Sequence, residues 1–85
     1  MARYRVIVRE SVSRDLKGIP KKDVRRILAA IESLADDPRP PGTKKLSGQE
    51  RYRLRQGNYR ILYSIEDDSL TVCVVRVRDR RDVYR

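Results

Sequence analysis

Arg55 and Arg60 stand on either side of Gly57-Asn58, inside a stretch from Arg51 to Ile65 where basic and apolar residues alternate. Such alternation marks a half-buried strand, and a Gly-Asn pair between two such runs reads as a two-residue hairpin turn. Residues equidistant from the turn then face each other. Arg55 lies opposite Arg60 on one side of the sheet, while Tyr52 pairs with Tyr63 and Leu54 with Ile61 on the other. Like charges placed directly opposite each other cost stability, so a guanidinium pair on an open face fits an anion held between the two forks. Alternatively the forks splay into solvent, or pair with Glu66 and Asp residues; the hairpin alone leaves both readings open.

Carried through a two-residue turn at Asp67-Asp68, the same register puts Leu62, Cys73, Val75 and Val77 on the side of Arg53, Arg55 and Arg60. The result is an apolar floor rimmed by Arg. The tail 78–85, Arg-Asp-Arg-Arg-Asp-Val-Tyr-Arg, leaves beside that floor and can bring Arg80, Arg81 and Tyr84 to it. Arg on phosphate with Tyr on a base face is the chemistry of single-stranded RNA recognition. A frayed, charged C-terminus is the plainer alternative.

Such a face can also support cleavage of RNA by its own 2′-OH. Arg60 with Arg55 or Arg80 would stabilise the charge that builds on the phosphorane. Proton transfer has fewer candidates, because Arg keeps its proton. Tyr84, set among Arg78, Arg80, Arg81 and Arg85, is where neighbouring charge best lowers a phenol's pKa. A ribonuclease built this way is slow unless something else holds its substrate in place.

The rest of the chain narrows these options. Its 85 residues suffice for one small domain, spanning 1–85. The net charge is +9, and sixteen of the 21 basic residues are Arg, which pairs bidentately with phosphate and points to a polyanion partner. Histidine is absent, which removes the commonest general acid/base, the commonest metal ligand and every Ser-His or Cys-His nucleophile pair. The single Cys73 excludes an internal disulfide framework and a thiolate zinc cluster, and suits a reducing cytoplasm. Neither a metal nor a cofactor is expected. No apolar run approaches the roughly 20 residues of a membrane span, and no signal-peptide pattern opens the chain.

The elements that must position the Arg face are short. Residues 3–9 alternate around Tyr4, Val6 and Val8 as a strand, and Ser11 is placed to cap a short helix carrying Val12 and Leu16, ended by Gly18 and Pro20. Val24, Ile27, Leu28, Ile31, Leu34 and Ala35 form one apolar stripe of a second helix, stopped by Pro38. Residues 37–43 hold three of the four prolines and read as a stiff loop. Leu70 to Val75 is apolar on both sides and reads as a central strand. The order is β-α-α-β-β-β, an α+β fold with two helices packed on one face of a largely antiparallel sheet.

In this order of elements, Leu16-Lys17-Gly18-Ile19-Pro20-Lys21 lies between the helices and Lys45-Leu46-Ser47-Gly48 before the hairpin. The hairpin itself is Tyr52-Arg53-Leu54-Arg55-Gln56-Gly57-Asn58-Tyr59-Arg60-Ile61-Leu62-Tyr63, and the ending is Arg80-Arg81-Asp82-Val83-Tyr84-Arg85. Together these resemble the RelE branch of the RelE/ParE toxin superfamily over essentially the whole chain. The resemblance implies a toxin of a type II toxin–antitoxin pair that cuts mRNA in the ribosomal A site, with the substrate's 2′-OH attacking the adjacent phosphate. Its partners would be the ribosome, mRNA and a cognate antitoxin.

By position, Arg60 corresponds to the family's transition-state-stabilising Arg, Arg80 or Arg81 to its tail Arg, and Tyr84 to its C-terminal Tyr. Arg53 and Arg55 stand where some members carry Lys, so their role becomes electrostatic; with Lys44 and Lys45 they are the expected RNA contacts. Asp79 stands where many relatives carry His. It would act as a base if buried, or equally pair with Arg81. The alternative readings are a ParE-like DNA gyrase inhibitor and an RNA-binding homologue of weak catalytic power.

Overall fold

The computed structural model describes residues 3–46, 48 and 50–79. Along the chain run β1 (Arg5–Val8), α1 (Glu10–Leu16), α2 (Lys21–Ser33), β2 (Thr43–Lys45), β3 (Tyr52–Gln56), β4 (Tyr59–Glu66) and β5 (Thr71–Asp79). The strands form one mixed sheet in the order β1-β5-β4-β3-β2. Only β1 and β5 are parallel; the other neighbours are antiparallel. This is the expected α+β fold with one strand more. β2 emerges from the proline-rich loop, where Thr43-Lys44-Lys45 shows no apolar alternation to announce it.

The apolar stripe of α2 lies over β3 and β4, with Ile27 and Ile31 buried against Leu54, Ile61 and Tyr63. Leu34 and Ala35 continue that burial past the last helical turn. Val72, Val74 and Val77 complete the floor of the core from β5, and Val12 reaches it from α1. Removing most of a side chain such as Ile27, which is fully buried, costs about 2–5 kcal/mol in cores of this kind.

Two features of β5 set up the functional face. The first is its turn, which spans Asp67 to Leu70 rather than Asp67-Asp68 alone, because Glu66 pairs with Thr71. Leu70 closes it in the left-handed region at φ 47°. The second is a β-bulge. Tyr63 pairs with Val74 but Leu62 pairs with Arg76, so Val75 is an extra residue on β5. A one-residue insertion sends every later side chain to the opposite face. Cys73 therefore shares the open face with Leu62, as the alternation predicts, whereas Val77 turns into the core opposite Ile61 and Arg78 takes its place opposite Arg60. The apolar floor expected from Val75 and Val77 is thus absent: both are buried at about one-twentieth exposure or less.

The bulged half of β5 also extends past β1, whose last paired residue is Val8 opposite Val74. An unpaired strand edge must find other hydrogen-bond partners. Arg9 N donates to the Val74 carbonyl at 3.0 Å, and α1 supplies the rest. Ser11 Oγ donates to the Val75 carbonyl at 2.7 Å, and Asp15 Oδ2 accepts from Val77 N at 2.9 Å. Ser11 is therefore not the helix cap that its position suggests. Arg9 occupies the cap position with no side-chain bond, and the Ser11 hydroxyl serves the sheet edge instead.

Candidate nucleic-acid interface

The Gly57-Asn58 turn has Gly57 at φ 59°, a conformation that suits glycine at the first central position of a hairpin turn. This fixes the register the sequence predicts: Tyr52 opposite Tyr63, Leu54 opposite Ile61 and Arg55 opposite Arg60. Because β5 lies on the other side of β4, the bulge adds Arg78 to the same row. Arg55, Arg60 and Arg78 thus stand side by side on three adjacent strands, whose backbones run about 4.8 Å apart in any sheet. None of the three pairs with a carboxylate among the described residues. Glu66, one of the partners that the splayed alternative offers, lies at the far end of β4 opposite Thr71.

The next row back carries Lys44, Arg53, Leu62 and Arg76. Arg53 and Lys44 make no ion pair among the described residues, while Arg76 is held in a two-point fork by Asp15 at 3.1 and 3.2 Å. Behind them Ser64, Cys73 and Ile7 give the face a partly apolar interior. Lys45 is not part of this arrangement. It pairs in register with Tyr52 on the helix-side face and lies 3.6 Å from Glu50. Asp79 pairs with Tyr59, which also turns it to the helix-side face and away from the Arg row. Arg80, Arg81 and Tyr84 lie outside the described residues.

Arg78 is the member of the row that the alternation did not single out. Its signal is nonetheless present: apolar core residues fall on even numbers at Val72 and Val74, then on the odd Val77, flanked by Arg76 and Arg78. That change of phase within one strand is what a bulge writes into a sequence.

The opposite end of the sheet is chemically different. Asp67 Oδ1 accepts the Tyr4 hydroxyl at 2.6 Å, and both carboxylate oxygens accept the Arg39 fork, at 3.2 and 2.9 Å. The Arg39 fork, followed by the Tyr4 hydroxyl, holds the Asp67 carboxyl below its usual pKa. The same carboxylate, as hydrogen-bond acceptor, pushes the Tyr4 phenol up. The Arg39 guanidinium also lies 5.3 Å from the centre of the Tyr52 ring, which stacks on Tyr63 at 5.8 Å. Tyr63 is fully buried, its hydroxyl donates to the Pro38 carbonyl at 2.7 Å, and burial raises its pKa. This assembly ties the proline loop to β1, β3 and the β4–β5 turn, and so sets where β2 and its Lys44 run.

No group of three or more potential metal ligands gathers among the described residues, and no helix there is long and apolar enough to cross a membrane. The guanidinium forks of the Arg face are donors of the kind that pairs with phosphate oxygens.

Comparison with known proteins gives this face its context. The family model for the ParE toxin of the type II toxin–antitoxin system parDE matches residues 6–84. Toxin RelG of Mycobacterium tuberculosis is 36% identical, over 96% of this chain and 97% of its own. The RelE–RelB complex of the archaeon Pyrococcus horikoshii superposes with a TM-score of 0.82 at 30% identity, over 94% of this chain and 97% of that one. The RelB–RelE antitoxin–toxin complex of Methanococcus jannaschii does so with 0.72 at 29%, over 92% and 94%. The chain belongs to the RelE/ParE family of type II toxin–antitoxin toxins.

Proposed function

We propose that this chain is a cytoplasmic, ribosome-dependent mRNA endonuclease that needs no metal or cofactor and stops translation by cutting the message in the A site. The observation that carries the reading is the row Arg55, Arg60 and Arg78, three guanidiniums side by side with no carboxylate partner among the described residues. Like charges across neighbouring strands lower stability, and a scissile phosphate gaining charge in its transition state is the ligand that reverses the sign. In the reaction the 2′ oxygen forms a bond to phosphorus and the bond to the 5′ oxygen breaks. The products are a 2′,3′-cyclic phosphate and a free 5′-OH. Arg60 at the centre stabilises the phosphorane, with Arg55 and Arg78 on either side and Arg80 or Arg81 from the segment that follows Asp79.

Arg does not exchange its proton at neutral pH, so Tyr84 or the ribosome moves the protons of the 2′ and 5′ oxygens. Asp79, on the other face, is a less suitable base than its sequence position suggests. Lys44, Arg53 and the apolar patch around Leu62 receive the flanking nucleotides.

A cognate antitoxin completes the reading, as RelB does in the Pyrococcus horikoshii and Methanococcus jannaschii complexes. An apolar groove of about 420 Å³ between β1 and α2, lined by Val6, Val8, Leu28 and Ile31, adjoins the free outer edge of β1 and suits an amphipathic antitoxin segment.

The test is expression in a translation extract with mapping of mRNA 5′ ends. Cuts phased to codons support the reading, and Arg60→Ala abolishes them. The family model's own description favours one rival, a gyrase-directed toxin. Intact mRNA together with inhibited DNA supercoiling would replace the proposal with it.

A further inference from the structure

The Arg row holds only part of the unpaired charge. Arg14, Lys17, Lys21, Lys22, Arg25 and Arg26 are all exposed on the helical side of the molecule, and none makes an ion pair or hydrogen bond through its side chain among the described residues. Four of them fall in the first six residues of α2, within about 8 Å of helix length. This placement opposes stability in two ways. Cations at a helix N-terminus meet the positive end of the macrodipole, and Lys21–Arg25 and Lys22–Arg26 are like charges one turn apart. Asp23 is the single acidic residue of that first turn. Solubility alone would be served as well by the same charges at the C-terminal end of α2, where the exposed face instead carries Ala29, Glu32 and Ser33.

At the border of this surface, between α2 and the β3–β4 turn, opens a notch of about 160 Å³ lined by Asp23, Arg26, Gln56, Gly57, Asn58 and Tyr59. Gln56 and Tyr59 pair in register on the helix-side face, so the notch lies on the opposite side of the sheet from the Arg row. Its lining combines a carboxylate, two side-chain amides and a guanidinium. That donor and acceptor set can read the edge of an unstacked base.

We propose that the α1–α2 surface is a second RNA-binding site. Lys21, Lys22, Arg25 and Arg26 bind the backbone of a folded RNA, and the notch receives an unpaired nucleotide bulged from it. The inference rests on the reading above only in taking RNA as the target. A toxin that cuts a single strand on one face would use this face to hold the structured RNA around that strand, which supplies the positioning that a domain of this size lacks.

The test uses the full chain in an Arg60→Ala background, so that binding is measured without cutting. The probe is a fluorescent RNA hairpin with one bulged nucleotide, compared with the same hairpin fully paired. Expected are tighter binding of the bulged hairpin, by about fivefold, and loss of that preference in Gln56→Leu. The combined variant Lys22→Ala, Arg25→Ala, Arg26→Ala weakens binding at least about tenfold and lowers the slope of log affinity against log salt by about three. All three positions are exposed and Ala favours helix, so an unchanged circular-dichroism melt checks folding. Full-strength binding by the combined variant, or equal binding of both hairpins by the Arg60→Ala parent, overturns the proposal. Hairpin binding that depends on α2, in a protein that leaves ribosomal mRNA intact, upholds this site and sinks the endonuclease reading instead.

Discussion

At one end of the β4–β5 ladder Asp67 is gripped by Arg39 and Tyr4, and the buried Tyr63 hydroxyl meets the Pro38 carbonyl. At the other end Arg55, Arg60 and Arg78 stand in a row with no carboxylate partner among the described residues. The same strands run through both ends, so the difference lies in what the side chains were placed to meet. The first end is satisfied within the chain and holds the loop that leads to β2. The second has no such partner among the described residues, which is the arrangement that the proposed phosphate site calls for. Substitutions should therefore separate the two: changes at the Tyr63 end lower stability and leave chemistry alone, while changes in the Arg row do the reverse.

The largest effect should come from deleting Val75, the extra residue of the bulge. The ladder then closes with Val77 still opposite Ile61 and Arg78 still opposite Arg60, but the buried Val75 side chain and the carbonyl that accepts the Ser11 hydroxyl are lost. Burial of a valine side chain contributes about 1.5–3 kcal/mol and the stranded hydroxyl costs about 1 kcal/mol more, a large share of the stability of a chain this small. Thermal melting monitored by circular dichroism checks this, and a deletion variant that melts like the parent would show that the bulge is dispensable. Within the intact fold, Arg78→Ala should reduce codon-phased cutting by roughly tenfold to a hundredfold, or about 1.4–2.7 kcal/mol of transition-state stabilisation, with an unchanged or raised melting temperature. Tyr63→Phe reverses that pattern. It strands the Pro38 carbonyl and should cost about 1–2 kcal/mol of stability while cutting well below the melting temperature stays at the parent rate.

How far these ends were legible beforehand follows from the local chemistry. The β3–β4 register was readable because the turn needs a glycine in the left-handed region and the strands alternate cleanly on either side of it. The α2 stripe was readable for the same kind of reason, since Ile27 and Ile31 are spaced one turn apart. The β4–β5 register was not, because Val72-Cys73-Val74-Val75 is apolar at every position and carries no phase, and the shift shows only when Arg76-Val77-Arg78 is read as a separate alternation. β2 and the Arg39–Asp67 contact depend on residues far apart in the chain, and Ser11 was claimed by a sheet edge that its own neighbours do not reveal. Two of the three members of the Arg row were therefore visible as a hairpin, and the third was hidden by one inserted valine.

Two smaller effects sharpen the comparison at the satisfied end. Leu70 holds φ 47° at the close of the β4–β5 turn and is partly exposed. An ordinary L-residue there costs about 1–2 kcal/mol relative to glycine, less the entropy glycine loses on folding. Leu70→Gly should therefore raise stability by roughly 0.5–1 kcal/mol in urea titration, with cutting untouched; a loss would mean that the Leu70 side chain contributes more than its strain costs.

The smallest effect is the most specific to this end. The Arg39 fork, and after it the Tyr4 hydroxyl, lower the Asp67 pKa in the folded protein. A carboxyl with a depressed folded pKa adds stability above its unfolded value, ordinarily about 3.9, and that contribution fades as pH falls through the folded value. Both partners are exposed, so the contribution is modest and screened by salt. Asp67→Asn should melt slightly below the parent at neutral pH, and the gap should narrow to nothing as pH falls below about 4. A gap that stays constant down to pH 3 would mean that the Asp67 contact acts through shape rather than charge. The two ends of the ladder would then differ in packing and not in how their charges are met.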